Sequence, residues 1–248
     1  MIRMDEAKAK HIVDYVFKDV FGADNPFSLE EVRERFAFDL ELPQKANGAI
    51  TGEEVWTISE IKDRVIGPKA FIDRMKKDEW MREKKPIDSM DDLLGLWGEI
   101  NYMQGNRFED STEVAESDNV YHSTFVYRST ETLHSQNIVF SNNNFGCNYL
   151  VASSDNSKCT LGVRVRKSVL CSSGFEISAS NRVSKSMYIR SSTDLFECIF
   201  CSQLRSKRYC IANMQLEKEE YMRAKDLIVE WTLKNFDAKA KSMLDLGR

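Results

Sequence analysis

Histidine, proline and early cysteine are scarce. The chain holds three histidines (His11, His122, His134), four prolines ending at Pro86, and no cysteine before Cys147. Few histidines leave little material for proton shuttling or metal ligation. A stretch without proline from Pro86 onward lacks the residue that most often interrupts strands and helices. No segment comes near the roughly eighteen consecutive apolar residues of a membrane helix, and the opening Met1-Ile2-Arg3-Met4-Asp5 lacks the apolar centre of a secretory signal. The expectation is a protein made in the cytoplasm, without membrane contact and with reduced thiols. The motifs Gly-x-x-x-x-Gly-Lys-Ser/Thr, Gly-x-Gly-x-x-Gly and His-Glu-x-x-His are all missing. Carboxylates are thin where a sugar-cleaving β-helix would cluster them: only Glu176, Asp194 and Glu197 lie between Lys158 and Cys210.

The 248 residues are 42% hydrophobic and 30% charged, a composition that folds, and long enough for one large domain or two smaller ones. A net charge of -4 argues against a surface built throughout for nucleic acid or anionic lipid. Self-similarity then directs the reading. Val114-Ala115-Glu116-Ser117-Asp118-Asn119, Leu133-His134-Ser135-Gln136-Asn137, Val151-Ala152-Ser153-Ser154-Asp155-Asn156, Leu170-Cys171-Ser172-Ser173-Gly174 and Ile189-Arg190-Ser191-Ser192-Thr193 line up. With Ser117, Ser135, Ser154, Ser173 and Ser192 as anchors, the spacings are 18, 19, 19 and 19. Leu150, Val169 and Tyr188 keep the same beat, four residues before an anchor.

So short a repeat, rich in Ser, Asn and β-branched residues, predicts a β-solenoid turn better than a helical repeat. The expected fold is mainly β with α. About five coils of 18–19 residues over 111–212 would rise roughly 24 Å, since stacked strands lie ~4.8 Å apart. The rival is an antiparallel, serine-rich sandwich. On the nineteen-residue beat, Cys147, Cys159 and Cys171, spaced by 12, form no ladder.

The flanks read as helices. Asp5 to Phe21 places Ile12, Tyr15, Val16, Val20 and Phe21 near one face, and Gly22 stands where a helix would stop. Ser28-Leu29-Glu30-Glu31 and Ser89-Met90-Asp91-Asp92 are capping patterns, the second opening a run with Leu93, Leu94, Trp97 and Ile100. Asn47-Gly48 and Thr51-Gly52 predict a small hairpin or loop around 49–58. Lys218 to Phe236 carries Tyr221, Ala224, Leu227, Ile228, Trp231 and Phe236 at helical spacing. Residues 1–110 are thus expected to be a helical capping and interaction region, and 213–248 a capping helix, because bare solenoid ends invite aggregation.

The tract Phe196-Glu197-Cys198-Ile199-Phe200-Cys201-Ser202-Gln203-Leu204-Arg205-Ser206-Lys207-Arg208-Tyr209-Cys210-Ile211-Ala212-Asn213, with Gln215 and Lys218-Glu219-Glu220-Tyr221 after it, resembles the closing segment of uncharacterised Cys-rich repeat proteins of candidate-phylum bacteria and tailed phages. The resemblance covers roughly a quarter of the chain. It implies a solenoid and assigns no activity. Relatives of that kind often carry a Cys-x-x-Cys zinc ribbon before the repeats, and this chain does not.

Chemistry is sparse. Cys198-Ile199-Phe200-Cys201 has the spacing of half a zinc knuckle, with only Cys210 near it and no second pair, so small buried thiols are expected and no metal or cofactor is called. His122 and His134 fall in the first coil, which keeps open a left-handed β-helix acyltransferase with a histidine base. The aliphatic-Gly hexapeptide of those enzymes occurs once, at Leu161-Gly162. Charge is more telling. Residues 158–210 carry +7 and the remainder -11. Lys158 aside, the bases are Arg164, Arg166, Lys167, Arg182, Lys185, Arg190, Arg205, Lys207 and Arg208, and a nineteen-residue coil would put Arg166 and Lys185 in one column of a basic, partner-binding stripe. Aromatics are not interleaved with these bases as nucleic-acid binding requires. The expectation is a non-catalytic structural or interaction protein in a repeated assembly, with a phage virion subunit (head decoration, connector or tail-associated) as its concrete form.

Overall fold

The computed structural model describes residues 5–246; Met1–Met4, on which much of the signal-sequence reading rests, and residues 247–248 lie outside them. Residues 108–211 form a parallel β-solenoid of about nine turns. Within it every parallel pairing joins residues twelve apart, as in Phe108↔Val120, Val126↔Ile138, Leu150↔Gly162, Ile177↔Ile189 and Cys198↔Cys210.

A turn is four sides of three residues. In each triplet one residue faces inward, the next outward, and the third turns the corner with φ near +50°, as at Glu113, Glu116, Asn119 and His122 and onward to Ala212. Left-handed backbone is strained for side chains branched at Cβ. No Val, Ile or Thr stands at a corner anywhere from Asp110 to Ala212, although all three are plentiful at the positions between.

The nineteen-residue beat is therefore overturned, and with it the count of five coils. Nineteen is not a multiple of three, so each step lands on a different class of position. Ser154 faces outward, Ser173 is a corner with φ 48°, and Ser192 is buried inside. Ser117 and Ser135, a turn and a half apart, both face inward but on different walls. The cysteine spacing that failed to fit was the true period: Cys147, Cys159 and Cys171 stack as one inner wall, and Cys171 N–H donates to Cys159 Sγ at 3.4 Å.

The interior is filled by trading bulk between neighbouring walls. One wall runs Val114, Val126, Ile138 and Leu150, then thins to Gly162, Gly174 and Ser186. The next runs Ser117, Ser129, Ser141 and Ser153, then thickens to Val165, Ile177 and Ile189. The glycines are required by this exchange, because a Cβ on Gly174 would come within 2.2 Å of Ile177 Cδ1 and one on Gly162 within 2.5 Å of Val165 Cγ2. Inner serines satisfy the buried backbone that corners leave free. Ser129 Oγ donates to Tyr127 O at 2.8 Å and accepts from Ser141 N at 3.0 Å, and the same arrangement recurs at Ser117, Ser135, Ser141 and Ser153.

Helices cover a flank of the rod. Helix α1 (Glu6–Phe21) is capped by Asp5, which accepts from Lys8 N, and stops at left-handed Gly22. Its 16 residues span about 24 Å, the height of five turns, and it crosses the five strands from Thr124–Tyr127 to Ser172–Ser178. Ala9, Val13, Val16 and Phe17 pack on the outward residues Tyr127, Val139, Val151, Val163 and Phe175. Helix α2 (Leu29–Phe36) opens with the predicted capping box. Strands β1 (Gln44–Asn47) and β2 (Glu54–Thr57) make the expected hairpin. Helices α3 (Pro68–Lys76) and α4 (Met90–Gly98) follow. Helix α5 (Lys218–Asn235) begins beside the last turn, where Tyr221 meets Tyr209, and ends where Phe236 stacks on Phe36. Helix α6 (Ala238–Leu246) closes that flank.

The ends are finished by other means. At the first turn the hairpin is tied on by Trp56 N–H to Asn106 Oδ1 (2.9 Å) and Asn106 N–H to Trp56 O (3.0 Å). At the last turn the chain doubles back, pairing Met214–Gln215 antiparallel to Cys210 and Ile211. There Lys207 occupies the wall position held by Val183 and Leu195 below it, so a charge terminates the apolar column. Inward-pointing charges on an edge strand discourage further pairing.

Candidate interaction surfaces

The most heavily connected polar site lies where the end of α2, the rod and α6 meet. Corner residue Arg164 is fully buried and reaches Asp39 through both terminal nitrogens (3.0 Å each), Glu176 through Nε (2.6 Å) and the carbonyl of Phe36. Its guanidinium also lies over the rings of Phe38 and Phe236. Arg166 joins Asp39 at 2.5 Å, Lys241 joins Glu176 at 3.0 Å and Asp245 at 2.5 Å, and Arg190 pairs with Asp245. Burial alone would raise the Asp39 carboxyl; the hydrogen bonds and charges of Arg164 and Arg166 override it and bring the pKa down to about 2. A cleft of about 590 Å³ opens beside this network. Every cation in it already faces a carboxylate, so its chemistry is that of a clamp joining three elements.

The twelve-residue register redistributes the predicted basic stripe. Arg166 and Lys185 do not share a column: Arg166 aligns with Ser178 and Arg190, whereas Lys185 is a corner residue on another side. Arg164 is inside the clamp. Arg182 is paired with Asp194 at 2.5 Å. Lys185 and Arg208 lie over the Phe196 ring at 5.7 and 5.6 Å. Lys167 is an exposed corner, and Arg205, Lys207 and Arg208 are exposed on the final turn. The bases thus occupy all four sides, with their densest exposed group at the C-terminal end of the rod.

His122 and His134 fall in one column, stacked at 4.9 Å and both exposed, with His122 Nδ1 3.5 Å from Asp110. Neither borders the clefts described here. The six thiols are buried in the rod, where Cys198 and Cys201 donate to carbonyl oxygens of Phe196 (3.6 Å) and Ile199 (3.3 Å), and burial raises the Cys147 pKa. Among the described residues no three His, Cys, Asp or Glu side chains are grouped to hold a metal, and no helix is long and apolar enough to cross a membrane.

Apolar surface is more conspicuous than charge. Helix α4 forms as its Ser89 cap predicts, with Ser89 Oγ accepting from Asp92 N, yet it buries no residue: Leu94 is 57% and Trp97 54% exposed. Met90, Leu93 and Ile100 are exposed beside them. At the other end of the rod, Phe200, Leu227, Ile228, Trp231 and Leu244 line a wholly apolar cleft of about 350 Å³ between α5, α6 and the solenoid. A third hollow, beside α1, is lined by His11, Tyr15, Phe125 and Tyr149. Helical spacing alone placed the α4 and α5 side chains on one stripe of each helix. What it could not show is that Tyr221 and Phe236 of the α5 stripe are buried against the rod while Leu227 and Trp231, like Leu94 and Trp97 of α4, stay exposed. A scan of protein-family models finds no match to the chain, and comparisons with curated proteins and with solved structures find none either.

Proposed function

We propose that this chain is a non-catalytic structural or interaction protein, a rigid rod that presents contact surfaces to protein partners within a repeated assembly. The observation that carries this reading is helix α4, a capped helix that buries no residue and leaves Leu94 and Trp97 more than half exposed. Exposed apolar surface of that kind marks a docking site. The rod supports the same reading. Its interior is solid with side chains and the buried charge of Arg164 is consumed in joining elements, which makes a stiff scaffold. A virion subunit is the concrete version, and it rests on the C-terminal resemblance alone.

The test is a full-length chain with a photoreactive amino acid in place of Leu94, illuminated in an extract of cells that make it. The expected result is a crosslinked species above the 28.6 kDa chain, to itself or to another protein, which is missing when the probe replaces Lys158 on an uncovered corner. Absence of any α4-specific crosslink would overturn the reading.

A further inference from the structure

We infer that the rod binds a linear neutral glycan along its fourth side, the column of outward residues that opens at Thr112. This goes beyond the interaction reading above and does not depend on it. In that column Thr112, Thr124, Gln136, Asn148, Thr160 and Ser172 stand in register, and Ser184 extends it before Phe196 ends it. None of these residues from Thr112 to Ser184 is charged, none is apolar and none is buried. The other sides differ. The column under α1 is apolar from Ala115 to Ile211, the next carries Asp118, Arg166 and Arg190, and the third begins with Glu109, Tyr121, Leu133 and Phe145.

Rings line both rims of this side. One rim carries Phe125 and Tyr149 with the shorter Asn137 between them, each at a left-handed corner. Tyr15 of α1 meets Tyr149 with ring centroids 4.7 Å apart, and a hollow of about 590 Å³ lies among His11, Tyr15, Phe125, Asn137 and Tyr149. The opposite rim carries the stacked pair His122 and His134. A sugar unit offers hydroxyls that donate and accept, and a C–H face that packs on an aromatic ring. Its chemistry therefore fits a floor of amides and hydroxyls between ring-bearing rims. The floor has hydrogen-bonding capacity to spare: Thr112 Oγ1 and Thr124 Oγ1 are 3.5 Å apart and Asn148 Oδ1 accepts from Asn137 at 2.9 Å, while each group can make further bonds.

Length and charge select the ligand. From Thr112 to Ser184 the column rises about 29 Å at the spacing of stacked strands, which suits an extended chain and not a single sugar. Lys158 is the one lysine or arginine on either rim between Asp110 and Leu161, and Lys8, beside Phe125, is held by Glu113 at 2.8 Å. A nucleic acid or a sulfated glycan needs several free cations, so a polyanion is disfavoured. A protein partner needs apolar or aromatic anchors at the centre of its contact, where this side has amides and hydroxyls.

The experiment uses purified full-length chain and saturation-transfer NMR with cellohexaose, laminarihexaose, mannohexaose and chitohexaose, each raised to about 1 mM. At least one hexasaccharide is expected to bind, more tightly than glucose, with heparin giving no signal. Gln136→Arg with Thr160→Arg lays two long side chains across the floor and is expected to abolish binding. Tyr15→Ala is expected to weaken it about tenfold, and Asn143→Arg, on a corner away from this side, to leave it unchanged. All four positions are exposed, and unchanged far-ultraviolet circular dichroism confirms each fold. A parent that binds none of the hexasaccharides overturns the inference, as does one that binds them no better than glucose or prefers heparin. So does binding that survives the floor variant. Ice shaping without glycan binding would show that the column orders water instead, and would overturn it too. The α4 crosslink is read separately, so failure here leaves the interaction reading standing.

Discussion

Arg164 shows how much one side chain can decide in a rod made of repeats. It stands at a corner, where its neighbours in the column are Ala152 and Glu176, and it ties the rod both to Asp39, which Arg166 also holds, and to the carbonyl of Phe36. Removing it leaves Glu176 and Asp39 facing each other's charge with Arg166 and Lys241 as the remaining cations. Arg164→Ala is expected to cost about 3–5 kcal/mol, the usual penalty for breaking a buried pair from one side, read as a fall in denaturant midpoint. Arg164→Lys should recover only part of it, because an ammonium cannot match the two-nitrogen contact with Asp39. The pH dependence has a definite sign. A carboxyl whose folded pKa of about 2 lies below its ordinary 3.8 contributes stability above pH 4 and loses it as pH falls toward 2. The stability gap between the parent and Asp39→Asn is therefore expected to narrow across that window in acid titrations of unfolding. A gap that stays constant would show that the carboxylate charge is not what holds the joint.

At the scale of the single turn, stability depends on volumes matched between adjoining walls. Leu150 faces Val165's neighbour Gly162, and where Ile177 and Ile189 swell one wall, Gly174 and Ser186 thin the next. Gly174→Ala pushes a methyl into Ile177 Cδ1 and is expected to destabilise by about 1–3 kcal/mol. Shortening the opposing residue should relieve it. Gly174→Ala combined with Ile177→Val is expected to lose less than the sum of the two single changes, the signature of residues that share one space, as measured in a denaturant double-mutant cycle. Additive losses would mean the walls do not compensate each other. The serine ladders obey a similar rule, since each hydroxyl serves one carbonyl in its own turn and one N–H in the next.

For the molecule as a whole, order should rise from the N-terminal arm to the middle of the rod. Coils between Ile138 and Ile189 have paired turns on both sides and α1 or α5 against one flank, whereas α4 has neither. Local opening is easiest where few apolar contacts must be broken. Amide hydrogen exchange in dilute full-length protein is expected to be fastest in α4 and slowest in the central strands. Equal protection in both would mean that α4 is covered by some contact even in the monomer.

Much of this architecture was written in the residues. The helix caps at Asp5, Ser28 and Ser89, the Gly22 stop, the hairpin glycines and a serine-rich parallel rod could all be read from local chemistry, because capping, turn conformation and β-branching act within a few neighbours. The period was also present, in the twelve-residue cysteine spacing and in the exclusion of Val, Ile and Thr from every third position, but serine is so frequent that a false beat of nineteen could be drawn through it. Three-dimensional packing alone settled which charges meet and which apolar faces stay open. Asp39 and Arg164 are 125 residues apart, and a stripe of leucine and tryptophan at helical spacing has the same pattern whether it lines a core or waits for a partner. Burial is a property of what arrives on the other side, and no spacing along one chain records that.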